Sequence, residues 1–316
     1  MMPVMARAQK SASPTSARRV ADGWSAVASL AVAPQGRLVA GENGGFGVAC
    51  WDASGAIAWQ VDLAKAGRSS RYQYEAYVKV CGDEVVALEH YGALHVLDSK
   101  TGKHKRKPSV PKGLRDFAFT PDGKTIVCRI DTETDVLEWP SMKKVVHFEE
   151  YCNQDCIAIS PDMKWLVVAG HEIHVFDLAK KKHVKTWEPA ESPWAMCFTA
   201  SSGHLVTGDD KNMLRLYDAE NGFGEVKAVG KNRSPTLTAV AASPDGKWIA
   251  TANDLGTVVV HEAGTLAVAK ELKGHDPTQP DTGSRSIPAL AFVDDTTLVV
   301  GAAPKKQPAG LTLHTL

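Results

Sequence analysis

Eleven histidines and six cysteines are the residues through which this 316-residue chain could bind a metal or move protons. His171 and His174 are three residues apart, and Cys152 and Cys156 form a C-x3-C pair. Neither pair is joined by a second pair at the spacing that zinc sites require. The sequence also lacks the H-E-x-x-H, G-x-S-x-G, phosphate-loop and dinucleotide signatures. We therefore predict no catalytic residue, no metal ligand and no cofactor.

Many of the acidic residues lie in predicted turns, where a structural role is expected. Asp122, Asp162 and Asp245 each follow a proline between two apolar runs. Proline fixes φ, and Asp and Gly favour chain reversal, so these acids are predicted to form hairpins.

The turns belong to a repeat that runs through the chain. In each copy an alternating apolar run, a turn and a more continuously apolar run precede a short motif that ends in a bulky residue and an acid or its substitute. The motif copies are ACWD at 49–52, HVLD at 95–98, LEWP at 137–140, HVFD at 174–177, RLYD at 215–218, VVHE at 259–262 and TLHT at 312–315. Their spacing averages about 44 residues, which is enough for four short strands. Seven such sheets must pack against one another to bury both faces.

The repeat length and the dipeptide Trp51-Asp52, with Phe176-Asp177 and Tyr217-Asp218 as variants, resemble the WD40-repeat family. The repeats are divergent, since Trp51-Asp52 is the single literal Trp-Asp pair. The resemblance implies an all-β fold, a seven-bladed β-propeller of four-stranded antiparallel blades over residues 18–316. It also makes Asp210 and Asp254 the expected turn acids between second and third strands. The segments 51–60 and 96–103 resemble quinoprotein-type propellers as well.

The last repeat stops at its third strand, so we expect the ring to be closed by a strand from the N-terminal region. Residues near Val20 are predicted to pair with residues near Leu313. Closure of this kind leaves no open sheet edge in the ring. Residues 1–17 are predicted to be a disordered tail.

Two groups of residues are candidates for partner binding. The first is rich in aromatic and arginine side chains in predicted loops, which are common at binding hot spots. It contains Arg71, Tyr72, Tyr74, Tyr91, Trp194 and Arg233. The second, called the basic sector, follows the third strands of repeats two to four; a charge run is usually a solvated surface, and the alternative is contact with an acidic partner. It contains Lys103, Lys105, Arg106, Lys107, Lys143, Lys144, Lys180, Lys181 and Lys182.

The overall charge narrows the class of partner. The chain has 36 basic and 36 acidic side chains, hence no net charge, so general binding to nucleic acid is not expected. No apolar run is long enough to span a bilayer and no secretory signal is present, so a cytoplasmic protein without membrane contact is predicted.

Together these features predict a non-enzymatic, WD40-type scaffold that is monomeric by itself and binds a protein or peptide through its loop faces. Two alternatives remain open. One is a metal-dependent hydrolase or lactonase of the propeller class, and the other is a quinoprotein-like redox propeller.

Overall fold

The computed structural model describes residues 17–19, 27–42, 47–63, 76–89, 93–130, 133–149, 156–230, 235–272, 289–302 and 310–316. Within these ranges the protein is all-β, with one 3-10 turn at Pro34–Gly36. The same ranges contain no helix that is long and apolar enough to cross a membrane.

The strands form seven antiparallel sheets, called blades 1 to 7. Blade 1 contains β2 (Val27–Ala33), β3 (Arg37–Glu42), β4 (Gly47–Trp51) and β5 (Ile57–Asp62). Blade 2 contains β6 (Ala76–Cys81), β7 (Glu84–Glu89), β8 (Leu94–Asp98) and β9 (His104–Arg106). Blade 3 contains β10 (Leu114–Phe119), β11 (Thr125–Ile130), β12 (Glu133–Glu138) and β13 (Lys144–Glu149). Blade 4 contains β14 (Cys156–Ile159), β15 (Trp165–Ala169), β16 (Ile173–Asp177) and β17 (Lys182–Trp187).

The remaining blades repeat this order. Blade 5 contains β18 (Pro193–Phe198), β19 (His204–Asp209), β20 (Met213–Asp218) and β21 (Gly224–Gly230). Blade 6 contains β22 (Leu237–Ala242), β23 (Trp248–Asn253), β24 (Val258–Glu262) and β25 (Val268–Leu272). Blade 7 contains β26 (Ala289–Phe292), β27 (Thr297–Ala302) and β28 (Gly310–Thr315), and β1 (Ala17–Arg19) pairs with β28.

The blades form a propeller ring, as the repeat predicted. The first strand of each blade contacts the first strand of the next, and β26 of blade 7 contacts β2 of blade 1. The second strands are the most deeply buried, as their continuous apolar runs indicated; Val85 to Leu88 in β7 are fully buried. Each hydrophobic core lies between two neighbouring blades, so no blade has a core of its own.

At the junction of blades 7 and 1, the three residues of β1 run antiparallel to β28. Ala17 pairs with His314, Arg18 with Leu313 and Arg19 with Thr312. Val20, for which the sequence predicted this pairing, lies outside the described residues. Ala17, which the sequence analysis assigned to the tail, is the first residue of β1.

In blade 3 the sequence motif was placed two residues too late. The predicted final residue was Pro140, but β12 ends at Glu138 and Trp139-Pro140 lies in the following turn. The backbone N–H of Met142 donates to the Glu138 carbonyl, as that of Gly102 does to Asp98 in blade 2. Glu138 is therefore the equivalent of Asp98, and the repeats are more evenly spaced than the sequence motif indicated.

Candidate interaction surface

Strand order places the turns of each blade at two ends. In an antiparallel four-stranded sheet, the turn between strands one and two and the turn between strands three and four lie at the same end. The ring brings these ends together on one face, called the lower face. The opposite ends of the strands, where strand two ends and strand three begins, form the upper face.

The acidic residues in the turns of the lower face accept hydrogen bonds from nearby backbone N–H groups and side-chain hydroxyls. Asp98 Oδ1 accepts hydrogen bonds from the Lys100 and Thr101 backbone N–H groups at 3.1 and 2.9 Å. The side-chain hydrogen bond from Thr101 is the main cause that lowers the pKa of Asp98. The hairpin acids behave similarly, since Asp122 Oδ1 accepts from the Thr120 hydroxyl at 2.7 Å. Asp122 forms a turn, as its position after proline indicated, and the lowered pKa values of Asp98 and Asp122 keep both side chains charged at neutral pH.

The basic sector lies along the third and fourth strands of blades 2 to 4 and their turns, and part of it is already paired. Arg106 donates to both carboxylate oxygens of Glu84 at 2.5 and 2.7 Å, and its guanidinium carbon lies 4.9 Å from the centre of the Trp139 ring in blade 3. This hydrogen bonding lowers the pKa of Glu84 and raises that of Arg106. Lys105 Nζ lies 3.4 Å from the same carboxylate. Arg106 thus joins strands and blades.

Two further members of the sector have acidic partners in their own blades. Lys144 Nζ lies 2.8 Å from Asp135 Oδ1, and Lys180 Nζ lies 3.0 Å from Asp177 Oδ2. Backbone hydrogen bonding by Lys180 is the main cause that lowers the pKa of Asp177. The positive charge of these two lysines is therefore locally balanced.

The other five lysines of the sector are exposed, and in the part of the chain that the structure describes none has a carboxylate within 4.0 Å of its ammonium group. They are Lys103, Lys107, Lys143, Lys181 and Lys182. Lys103, Lys143, Lys181 and Lys182 lie in or beside the turns that precede the fourth strands of blades 2 to 4, and Lys107 follows β9 at its other end. These five are the side chains of the sector whose charge is available to a partner.

A second set of polar groups, which the sequence analysis missed, lies on the third strands of blades 2 to 5. The position three residues before the turn acid is polar in blades 2 to 5, where it holds His95, Asp135, His174 and Arg215. Each is buried and contacts a neighbouring strand. His95 Nε2 lies 3.4 Å from Glu89 Oε2, and Asp135 Oδ1 lies 2.7 Å from His147 Nδ1. The sequence signal that could have identified these residues is a polar residue at the same position of otherwise apolar third strands.

The same position in blade 4 organises a small hydrogen-bonded chain. The Thr186 hydroxyl lies 3.0 Å from His174 Nδ1 and 2.7 Å from His183 Nε2. Burial lowers the pKa of His174, and also that of His95, so both rings are neutral at pH 7. His171, which lies three residues before His174 in the sequence, is exposed just before β16. The two rings therefore do not form one site.

Metal and thiol chemistry find little support in the described ranges. No group of three or more His, Cys, Asp or Glu side chains there is arranged to hold a metal ion. Burial raises the pKa of Cys50 to about 11 and that of Cys128 to about 12, which keeps both thiols protonated. Cys152 lies outside the described residues.

The aromatic and arginine group cannot be placed as a whole. Arg71, Tyr72, Tyr74, Tyr91 and Arg233 lie outside the described residues. Trp194 was predicted in a loop but lies in β18, where the register shifts between Pro193 and Ala195. The shift makes Trp194 a bulge residue, and bulges of this kind are not evident from sequence.

The turn acids expected between second and third strands are each displaced by one residue. Asp209, and not Asp210, accepts hydrogen bonds from the Lys211 and Met213 backbone N–H groups at 3.0 and 2.8 Å. In blade 6, Asn253 takes this role instead of Asp254, accepting from Leu255 and Thr257 at 3.1 and 3.0 Å. The last residue of the second strand therefore caps these turns.

In a comparison with known families, residues 226–262 match the model described as WD domain, G-beta repeat. The matched segment runs from β21 of blade 5 to the end of β24 in blade 6. A search of curated proteins found no match.

Proposed function

Residues 226–262 are a WD40 repeat within a seven-bladed β-propeller, and from this premise we propose that the protein is a non-enzymatic scaffold that binds an acidic protein or peptide. Propellers of this type are typically non-enzymatic and commonly bind proteins. One observation carries the choice of partner. The five exposed lysines Lys103, Lys107, Lys143, Lys181 and Lys182 have no acidic partner in the described ranges and lie on successive blades.

The acidic residues near the basic sector already have partners within the protein, which supports an acidic partner for the five lysines. Glu84, Asp135 and Asp177 neutralise their neighbours, and the turn acids hold backbone N–H groups. Four of the five lysines therefore present positive charge on or beside turns, and Lys107 does so after β9, an arrangement that suits electrostatic recognition. The chain as a whole stays neutral, which limits nonspecific association with nucleic acid.

Binding of a fluorescein-labelled octaglutamate peptide, followed by anisotropy, tests the acidic partner. We expect saturable binding that weakens when salt is raised from 50 to 200 mM, because exposed charges are screened. A triple variant K103Q/K143Q/K181Q removes one turn lysine from each blade and should weaken binding at least fivefold. The matched control K211Q/K227Q/K247Q removes three lysines from blades 5 and 6 and should bind like the parent.

Equal binding by the two triple variants would contradict the role of the basic sector. The enzyme alternatives have separate tests. Tightly held stoichiometric metal in the purified protein would favour a metal-dependent hydrolase, and a visible absorption band would favour a redox propeller. Recovery of partners from the native cell with the parent and the triple variant would then identify the physiological ligand.

A further inference from the structure

A cleft of about 660 Å³ opens between blades 5 and 6. Leu214 and Val229 of blade 5 form one wall, and Val259 and His261 of blade 6 form the other. Glu271, on the outer strand β25, also lines the cleft. The volume is in the range of sites that bind a ligand or a side chain of a partner.

The internal repeat explains why this cleft is open. Val259 occupies the position that holds Arg215 in blade 5, because both lie three residues before the turn acid. Arg215 is buried and fills the space beside its own blade, with Nε 3.2 Å from Asp209 Oδ2 and Nη1 3.0 Å from Glu225 Oε2. Valine is several atoms shorter than arginine, so the equivalent space in blade 6 remains unfilled.

The walls of the cleft keep the acceptors that a cation would need. Glu271 pairs with Val259 across the β24–β25 ladder, so its side chain lies on the same face of the sheet. Glu271 is exposed and, among the described residues, forms no ion pair. Among the residues that the structure describes, the carboxylate of Glu271 on the outer strand of the cleft thus has no cation to balance it.

Deeper in the cleft, His261 and Thr251 add neutral acceptors. His261 Nδ1 lies 3.2 Å from the Leu266 carbonyl oxygen, which fixes the proton on Nδ1 and leaves the lone pair on Nε2. His261 Nε2 lies 3.2 Å from the Thr251 hydroxyl. Burial lowers the pKa of His261, so the ring stays neutral and does not repel a cation.

The cleft also has apolar surface for the stem of a long side chain. Leu255 and Val268 are 57% and 66% exposed, which is unusual for such residues, and both line the cleft. An arginine side chain packs its methylene groups on apolar surface while its head group remains polar.

We propose that this cleft binds an arginine side chain of a peptide partner, with the guanidinium group near Glu271 and the methylene stem between Leu214, Val259 and Val268. In blade 5 the guanidinium group comes from the chain's own Arg215, whereas in blade 6 the bound partner would provide it. Arginine is preferred to lysine because its planar head group can reach the carboxylate and a second acceptor at once. This site is separate from the basic sector.

The test uses the labelled peptide acetyl-Gly-Leu-Arg-Leu-Gly and its citrulline analogue, which has the same shape without the charge. We expect the arginine peptide to bind at least threefold more tightly in an anisotropy titration. The variant E271Q should weaken its binding about threefold, the effect of one exposed ion pair. The matched control E149Q changes an exposed acid on the outer strand of blade 3 and should have no effect.

A second variant locates the site. V259R places the chain's own guanidinium where the partner would bind, so it should abolish peptide binding and keep the parent's thermal unfolding temperature within a few degrees. If V259R is destabilised, E271K serves instead, since it changes only an exposed residue and reverses the charge. Equal affinity for the arginine and citrulline peptides, unaltered binding by E271K, or no binding of either peptide at millimolar concentration would overturn the proposal. None of these results depends on the octaglutamate test of the basic sector.

Discussion

Arg215 shows how this chain places charge in its interior. Its side chain is 10% exposed and lies between the carboxylates of Asp209, at 1%, and Glu225, at 43%. Asp209 is held at the same time by two backbone N–H groups of the following turn. The buried ion pair therefore links the turn after β19 to β20 and, through Glu225, to β21.

Replacement of Arg215 by Val gives blade 5 the residue that blade 6 carries at this position. We expect the free energy of unfolding to fall by about 3 kcal/mol, because the buried Asp209 loses its cation. The double variant D209N/R215V recreates the Asn253 and Val259 pair of blade 6. It should recover at least about 1 kcal/mol relative to R215V, as measured by urea unfolding. A double variant less stable than R215V would contradict this account.

The buried histidines give stability a defined pH dependence. Burial lowers the pKa values of His95, His174 and His261 below the ordinary value of 6.5, so the unfolded chain binds protons more readily than the folded one. Stability should therefore be complete above pH 6.5 and decrease as the pH falls through the lowered pKa values. Thermal unfolding between pH 7.5 and 5.5 measures this decrease, and H261N should reduce it. An unchanged unfolding temperature over that range would contradict the prediction.

At the scale of elements, blade 7 differs from the others because one strand comes from the far end of the chain. Strand β1 lies at the outer edge of blade 7, where it covers the otherwise open edge of β28. Its contribution comes from the backbone ladder of three residues.

Deletion of residues 1–19 removes β1 and should lower the free energy of unfolding by about 2 kcal/mol, since backbone hydrogen bonds contribute roughly 1 kcal/mol each. Deletion of residues 1–16 keeps the strand and serves as the matched control. Denaturant unfolding of the two proteins gives the comparison. Equal stability would show that the pairing contributes nothing measurable.

The strands were predictable because the same pattern of apolar runs and turns recurs seven times along the chain. Seven alternating runs, seven turns and seven third strands that end in an acid or its substitute leave few arrangements other than seven sheets. Local irregularities were not predictable. The shift of two residues at Pro140 and the bulge at Trp194 depend on backbone pairing with a neighbouring strand, which one sequence motif does not contain.

At the scale of the whole molecule, the cores lie between blades and tie the blades into one unit. Leu205 of blade 5 is fully buried in a core that also contains Val167 and Val175 of blade 4. Every blade therefore depends on both neighbours for its buried surface, which favours cooperative unfolding.

Leu205→Ala should lower the free energy of unfolding by about 3 kcal/mol through the cavity that it creates. We expect circular dichroism and tryptophan fluorescence to report one coincident transition at a lower denaturant concentration. The control V226A changes a residue that is 56% exposed and should cost less than about 0.5 kcal/mol. Separate transitions for the two probes would show that the blades unfold independently.

The interaction sites were less predictable than the ring. Lys143 and Lys181 were recognised as basic residues from the sequence. The structure was needed to show that the nearby acids Asp135 and Asp177 pair with Lys144 and Lys180 instead, so that neither Lys143 nor Lys181 has an acidic partner among the described residues. The cleft between blades 5 and 6 depends on Val259, which is shorter than Arg215 at the equivalent position. The space that this leaves is visible only in the three-dimensional structure.

The pairing of β1 with β28 also has a consequence for synthesis on the ribosome. Strand β1 leaves the exit tunnel first, and its partner is translated almost 300 residues later. At a typical 5 to 20 residues per second, β1 waits for tens of seconds with its hydrogen-bonding groups unmatched. Six blades can therefore assemble before the ring is sealed, and the nascent chain is an open arc for most of its translation.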